Sequence, residues 1–175
     1  MIIAGFDIAT VTGACVLDGT KVLHAEAFRA KGDSDPEIFA SWRGWFRSML
    51  LAHEVQEVAI EQPLRTPQIN QAKAKKGILE LSPKSSMATY LRSYGLRAHA
   101  VEICHSINVG CREVNQSTWR AAFTGNGHAD KQASFVIAKQ LYPKLKSLDA
   151  AESIGVAWWL NGELSQIGMK FSEAS

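Results

Sequence analysis

Apolar and polar positions change period several times along the 175-residue chain, and each change marks an element. Residues 1–8 (MIIAGFDI) are an apolar run of strand length on both faces, the pattern of a central strand. Gly13 to Leu17 and Lys21 to Phe28 read as two further strands joined across an Asp18-Gly19 hairpin signal. The period then lengthens. Phe39, Trp42, Phe46 and Leu50 recur at helical spacing behind Asp35-Pro36-Glu37, predicting a helix with Asp35 as N-cap and Pro36 at its first position. Glu57 to Glu61 (EVAIE) predicts a short buried strand ended by Pro63, and residues 64–83, polar and basic with Pro67 and Pro83 as breakers, predict a mobile loop over part of their length. Further on we expect a helix over 84–94 closed by Gly95 and a fifth strand from Arg97 to Ile103. A short helix capped by Ser117 and running through Phe123 follows, then a turn at Gly125-Asn126-Gly127. Two more helices complete the reading, Ala129 to Leu141 and Asp149 to Leu160. Three meandering strands followed by alternating helices and strands predict an α/β fold, a five-stranded mixed sheet flanked by helices.

Composition narrows the class. With 46% hydrophobic and 21% charged residues, the chain can bury a core and is not a disordered segment. No apolar run approaches the roughly 18 residues of a membrane span. The opening Met-Ile-Ile-Ala-Gly-Phe-Asp lacks the basic start of a secretory signal, and the cysteines (Cys15, Cys104, Cys111) are three, with no Cys-x-x-Cys. We therefore expect one domain over residues 1–175, cytoplasmic, in a cell or a phage-infected cell, with no disulfide framework. The spacing of Cys104 and Cys111 is also too wide for a zinc knuckle.

The net charge of +2 conceals an uneven distribution. Residues 1–61 hold five Lys/Arg against nine Asp/Glu, whereas residues 62–97 hold Arg65, Lys73, Lys75, Lys76, Lys84, Arg92 and Arg97 against Glu80 alone. Residues 112–146 add six more basic residues against Glu113 and Asp130. Such clustering suits either solvated helix faces or a track for a polyanion such as nucleic acid. Trp119 and Arg120, adjacent in the second basic stretch, and His128 in the following turn are candidates to contact DNA, although a loop histidine is more often simply solvated.

Four acids stand out against apolar surroundings. Asp7 lies in the first predicted strand and Glu61 ends the fourth, and a carboxylate is rarely buried there unless it is paired or binds a metal. The alternative is that each faces water at a strand end. Asp149 and Glu152, three residues apart, share one face of the last helix, where Asp-x-x-Glu also has the form of a capping box. Gathered in one cleft, four carboxylates would repel one another unless cations lay among them. Hard oxygen donors suit Mg²⁺ or Mn²⁺, and two such ions can drive in-line displacement at a phosphodiester. Lys131, in the first turn of a predicted helix, opposes the positive end of the helix dipole, as a residue aimed at phosphate or at a metal site would.

In their order and rough spacing, Gly-Phe-Asp-Ile-Ala-Thr-Val-Thr-Gly-Ala, Ala-Ile-Glu-Gln-Pro and Asp-Ala-Ala-Glu-Ser-Ile-Gly-Val-Ala resemble the acidic motifs of the RNase H-like superfamily, and most nearly those of RuvC-type Holliday junction resolvases. Thr-Gly-Asn-Gly-His-Ala-Asp-Lys resembles that family's lysine-bearing segment. The resemblance implies an RNase H-like fold and a structure-selective DNA endonuclease acting on four-way junctions as a homodimer. It implies that Asp7, Glu61, Asp149 and Glu152 hold two divalent ions, with Lys131 as the auxiliary basic residue. Arg65, Lys73, Lys75, Lys76, Lys84, Arg92, Trp119, Arg120, His128 and Lys131 would then hold the DNA. The helix motif departs from the family pattern in one place, ending in glutamate (Glu152) where aspartate is usual. A nuclease for another substrate such as an RNA–DNA hybrid, or a silent nucleic-acid binder, would share this sequence pattern.

Overall fold

The computed structural model describes residues 1–63 and 87–172, with side chains through residue 166. Strands β1 (Ile2–Asp7), β2 (Val11–Asp18) and β3 (Lys21–Arg29) form an antiparallel meander. Helix α1 (Asp35–Ala52) leads to β4 (Glu57–Glu61), and α2 (Met87–Ser106) to β5 (Gly110–Val114). Helices α3 (Gln116–Thr124), α4 (Lys131–Leu141) and α5 (Leu148–Ser172) follow. The strand order is β3-β2-β1-β4-β5, with β4 parallel to both β1 and β5. The expected five-stranded mixed sheet flanked by helices is therefore present, and among the described residues no helix is long and apolar enough to cross a membrane.

Period-two alternation sends the two halves of each strand to different cores. Ala4, Phe6, Ala14, Val58 and Ile60 face α1 and α2, packing on Trp42, Phe46, Leu50 and Leu96. Ile3, Cys15 and Ala59 face the other side, where Trp119, Ile154, Ala157 and Leu160 close the layer. By the same alternation Asp7, two pairs beyond Ile3, belongs to this second face, and so does Glu61, two beyond Ala59. In the parallel register Phe6 lies beside Ile60, so the two acids end adjacent strands side by side. Helix α5 runs across β1 and β2, and α3 and α4 pack on α5.

The structure corrects several boundaries. Ser34, not Asp35, is the N-cap of α1, and the Glu37 carboxylate accepts the backbone N–H groups of Asp33 and Ser34 at 2.8 and 3.1 Å. Asn115, not Ser117, caps α3, accepting the Thr118 N–H at 2.9 Å. The larger correction is at residues 95–114. The segment expected as a strand, Arg97 to Ile103, is helical, because Leu96, Ala100, Ile103 and Cys104 are its buried positions and their spacing is 3.6-periodic. Gly95 does not end that helix. A Cβ there would lie 2.6 Å from the Phe39 ring, so glycine lets α2 pass close to α1. The fifth strand is Gly110–Val114, at the sheet edge and flanked by ion pairs Arg112–Glu57 and Arg97–Glu113, and its polarity concealed it. The stretch 64–83, expected in part as a loop and carrying Arg65, Lys73, Lys75 and Lys76, lies outside the described residues, and so does Lys84.

Candidate active site

The site is assembled at one end of the sheet by the close approach of α5. Gly13, paired with Asp7 across β1 and β2, is the contact point, since a Cβ there would lie 2.0 Å from the Asp149 carbonyl oxygen. Absence of a side chain at that position brings the first turn of α5 directly onto the strand that carries Asp7. Ligand oxygens of Asp7, Asp149 and Glu152 consequently lie within 4.8 Å of one another. The capping-box reading of Asp149 and Glu152 does not hold: α5 begins at Leu148, and the Glu152 carboxylate is paired with Arg120 and Lys131.

Glu61 completes the group from β4, held by α3. Its Oε2 accepts the indole N–H of Trp119 at 2.7 Å and its Oε1 accepts from Gln116 Nε2 at 3.3 Å. Arg120, the next residue on α3, reaches Glu152 instead. Residues 116, 119 and 120 share one face of the helix, so α3 contributes no acid yet grips both glutamates. Lys131, at the start of α4, reaches furthest into the group. Its Nζ is 3.1 Å from Asp149 Oδ1 and 3.9 Å from Asp7 Oδ2, and it is also paired with Glu152. Asp130 fixes that helix start by accepting the Ala133 N–H at 2.8 Å.

Electrostatics follow from the crowding. Burial pushes the Asp7 carboxyl well above the usual carboxylate range; Glu61, Glu152 and Asp149 push it further, against the pull of Lys131. Glu61 is raised too, by burial and by Glu152, and opposed by the Trp119 hydrogen bond. Burial alone would lower the Lys131 ammonium, but its bonds to Glu152 and Asp149 and the charge of Asp7 hold it above its ordinary value. Asp7 and Glu61, disfavoured in their charged form, and the hard carboxylate oxygens that converge with them are a donor set suited to a hard divalent cation.

Among the other sequence candidates, Trp119 is fully buried and its ring has no free face for a base, which removes it from the expected DNA contacts. Arg120, with its side chain 12% exposed and tied to Glu152, is likewise committed to the acids and not to phosphate. Arg92 pairs with Asp35 at 2.6 Å through Nη2 and 2.8 Å through Nε. His128 is exposed in the turn before α4. Reasoning from the sequence did not find Gln116, nor the grip of Trp119 and Arg120 on the glutamates. The available signal was their i, i+3, i+4 spacing on a helix beside the acidic strands.

Order, pairing and the placement of the acids define the class: this is the RNase H-like α/β fold. Within it, the structure is similar to that of Thermus thermophilus RuvC, with a TM-score of 0.66 at 16% identity over 91% of this chain and 92% of that one. It is similar also to T. thermophilus RuvC in complex with a Holliday junction substrate (TM-score 0.64, 17% identity, the same coverage). The yeast mitochondrial Holliday junction resolvase Ydc2 matches at a TM-score of 0.54 and 10% identity, over 91% of this chain and 79% of that one. The resemblance to RuvC-type resolvases in the sequence thus has a counterpart in the fold. No protein-family model matches the sequence, and no curated protein matches it either.

Proposed function

We propose that the protein is a divalent-metal-dependent endonuclease for branched DNA, a Holliday junction resolvase that works as a homodimer. The observation that supports this most is the convergence of Asp7, Glu61, Asp149 and Glu152 at one sheet end, in a fold shared with a protein solved on a Holliday junction. Asp7, Asp149 and Glu152 would hold the ion, with Glu61 beside Asp7. Such an ion supplies Lewis-acid polarisation of a phosphoryl oxygen. The chain itself orients the donors: Gly13 seats Asp149, Trp119 and Gln116 hold Glu61, and Arg120 holds Glu152. Lys131 brings positive charge among the acids, toward which a phosphate would be drawn. Arg65, Lys73, Lys75, Lys76, Lys84 and His128 would follow the DNA backbone.

The test is single-turnover nicking of a synthetic four-way junction, a linear duplex and an RNA–DNA hybrid, with and without Mg²⁺ or Mn²⁺. We expect symmetric nicks in the junction only when metal is present. Asp7→Asn keeps the size of the side chain and removes its charge, so cleavage should fall by several orders of magnitude while junction binding persists. Selective cutting of the hybrid would reassign the substrate, and parental cutting by Asp7→Asn would refute the site.

A further inference from the structure

The cluster of acids already contains a cation, and it belongs to the chain. The Lys131 ammonium sits among the oxygens that would ligate a metal, in contact with all three of Asp7, Asp149 and Glu152. A divalent ion ligated by those oxygens, at a little over 2 Å from each, would claim the space and the charge that the ammonium now occupies. Arg120 and Lys131 differ in how firmly they are held. Arg120 is fixed beneath the site with its side chain 12% exposed, whereas the Lys131 side chain is 46% exposed on a flexible stem that can swing to solvent.

We propose that Lys131 is a tethered competitor for the metal: it occupies the cation position in the metal-free protein and must withdraw for a divalent ion to bind. This rests on the metal-dependent reading of the site and adds to it a role for a residue of this chain. While the ammonium is in place, the four carboxylates face two internal cations, Lys131 and Arg120, and can stay gathered before any ion arrives. The same contact scales the apparent affinity for metal by the fraction of molecules in which the lysine has left the site. If the lysine sits in the site about nine-tenths of the time, the penalty is roughly tenfold.

The experiment is a calorimetric titration of the metal-free, full-length protein with Mn²⁺ in the absence of DNA, repeated for Lys131→Gln and Lys131→Arg. We expect Lys131→Gln to bind Mn²⁺ about tenfold more tightly than wild type. Lys131→Arg, which keeps a tethered cation, should stay much closer to wild type. Thermal melts supply a second readout. Metal-free Lys131→Gln should melt below wild type, because its acids have lost a counter-ion, and Mn²⁺ should raise its Tm by more than it raises that of wild type. Unchanged or weaker Mn²⁺ binding by folded Lys131→Gln would overturn the proposal and leave the metal reading standing. No Mn²⁺ binding by any of the three proteins would overturn both.

Discussion

The two faces of the sheet are built by opposite means. On the α1/α2 face large rings fill the space: Phe6 packs 4.7 Å from Phe46, and Trp42 stacks on Phe46 at 4.6 Å. On the α5 face the strand and helix backbones come together, because Gly5 and Gly13 present nothing to hold them apart. Each face also buries one tryptophan completely, and each indole N–H finds a partner. Trp42 donates to the Thr12 hydroxyl at 2.8 Å, and Thr12 in turn donates to the Ala9 carbonyl at 2.6 Å, a purely internal chain. Trp119 donates instead to Glu61, one of the four gathered acids. The same local chemistry thus braces a turn on one face and orients a charged group on the other. A layer filled by side chains absorbs small errors by rotamer changes. A layer set by backbone contact does not, which suits it to holding carboxylates at fixed separations.

The sharpest way to break this contrast is at Gly13. In Gly13→Ala the new methyl group would meet the Asp149 carbonyl at 2.0 Å, a backbone atom with nowhere to go. The first turn of α5 must lift, and we expect a loss of about 3 kcal/mol or more in urea denaturation. Metal-dependent junction cleavage should fall at least a hundredfold even for the folded fraction, because misplaced donors cost rate steeply. Near-parental cleavage by this variant would show that Asp149 is not positioned through Gly13.

The paired tryptophans test the comparison at intermediate size. Trp42→Phe and Trp119→Phe each remove one indole N–H and leave a small cavity, so both should cost roughly 1–3 kcal/mol of stability. Only Trp119→Phe should slow cleavage per folded molecule and raise the metal concentration needed, by about tenfold, since a carboxylate donor has lost its orienting bond. A metal titration of single-turnover rates separates the two. Equal behaviour of the two variants would reduce the Trp119–Glu61 bond to a structural contact.

The smallest effect belongs to Gly44. It is exposed in the middle of α1, and a Cβ there would meet nothing within 4 Å. Gly44→Ala should stabilise the protein by about 0.5–1 kcal/mol, because alanine has less backbone freedom to lose on folding. Tm should rise by about 1–4 °C with cleavage unchanged. A glycine on the outer surface of α1 would then be dispensable where Gly13 is not.

Much of this was legible along the chain. The continuous apolar run MIIAGFDI placed Asp7 in a buried strand, EVAIE placed Glu61 at the end of another, and Asp149 and Glu152 shared a helix face because residues three apart must. The five-stranded mixed sheet follows from the order of such elements. The failures are of two kinds. Leu96, Ala100, Ile103 and Cys104 form a helical stripe that a short window misread as a strand, and the polar edge strand Gly110–Val114 carries no apolar alternation to detect. Trp119 and Arg120 were misplaced for a deeper reason. A tryptophan beside an arginine in a basic stretch looks exposed until Glu61 and Glu152, 58 and 32 residues away in the chain, are brought against them. Periodicity records which side of its own element a residue occupies. Whether that side meets solvent, a ring or a carboxylate is decided only when distant elements pack, and so only the tertiary structure turned Arg120 and Lys131 into internal counter-ions of the acids.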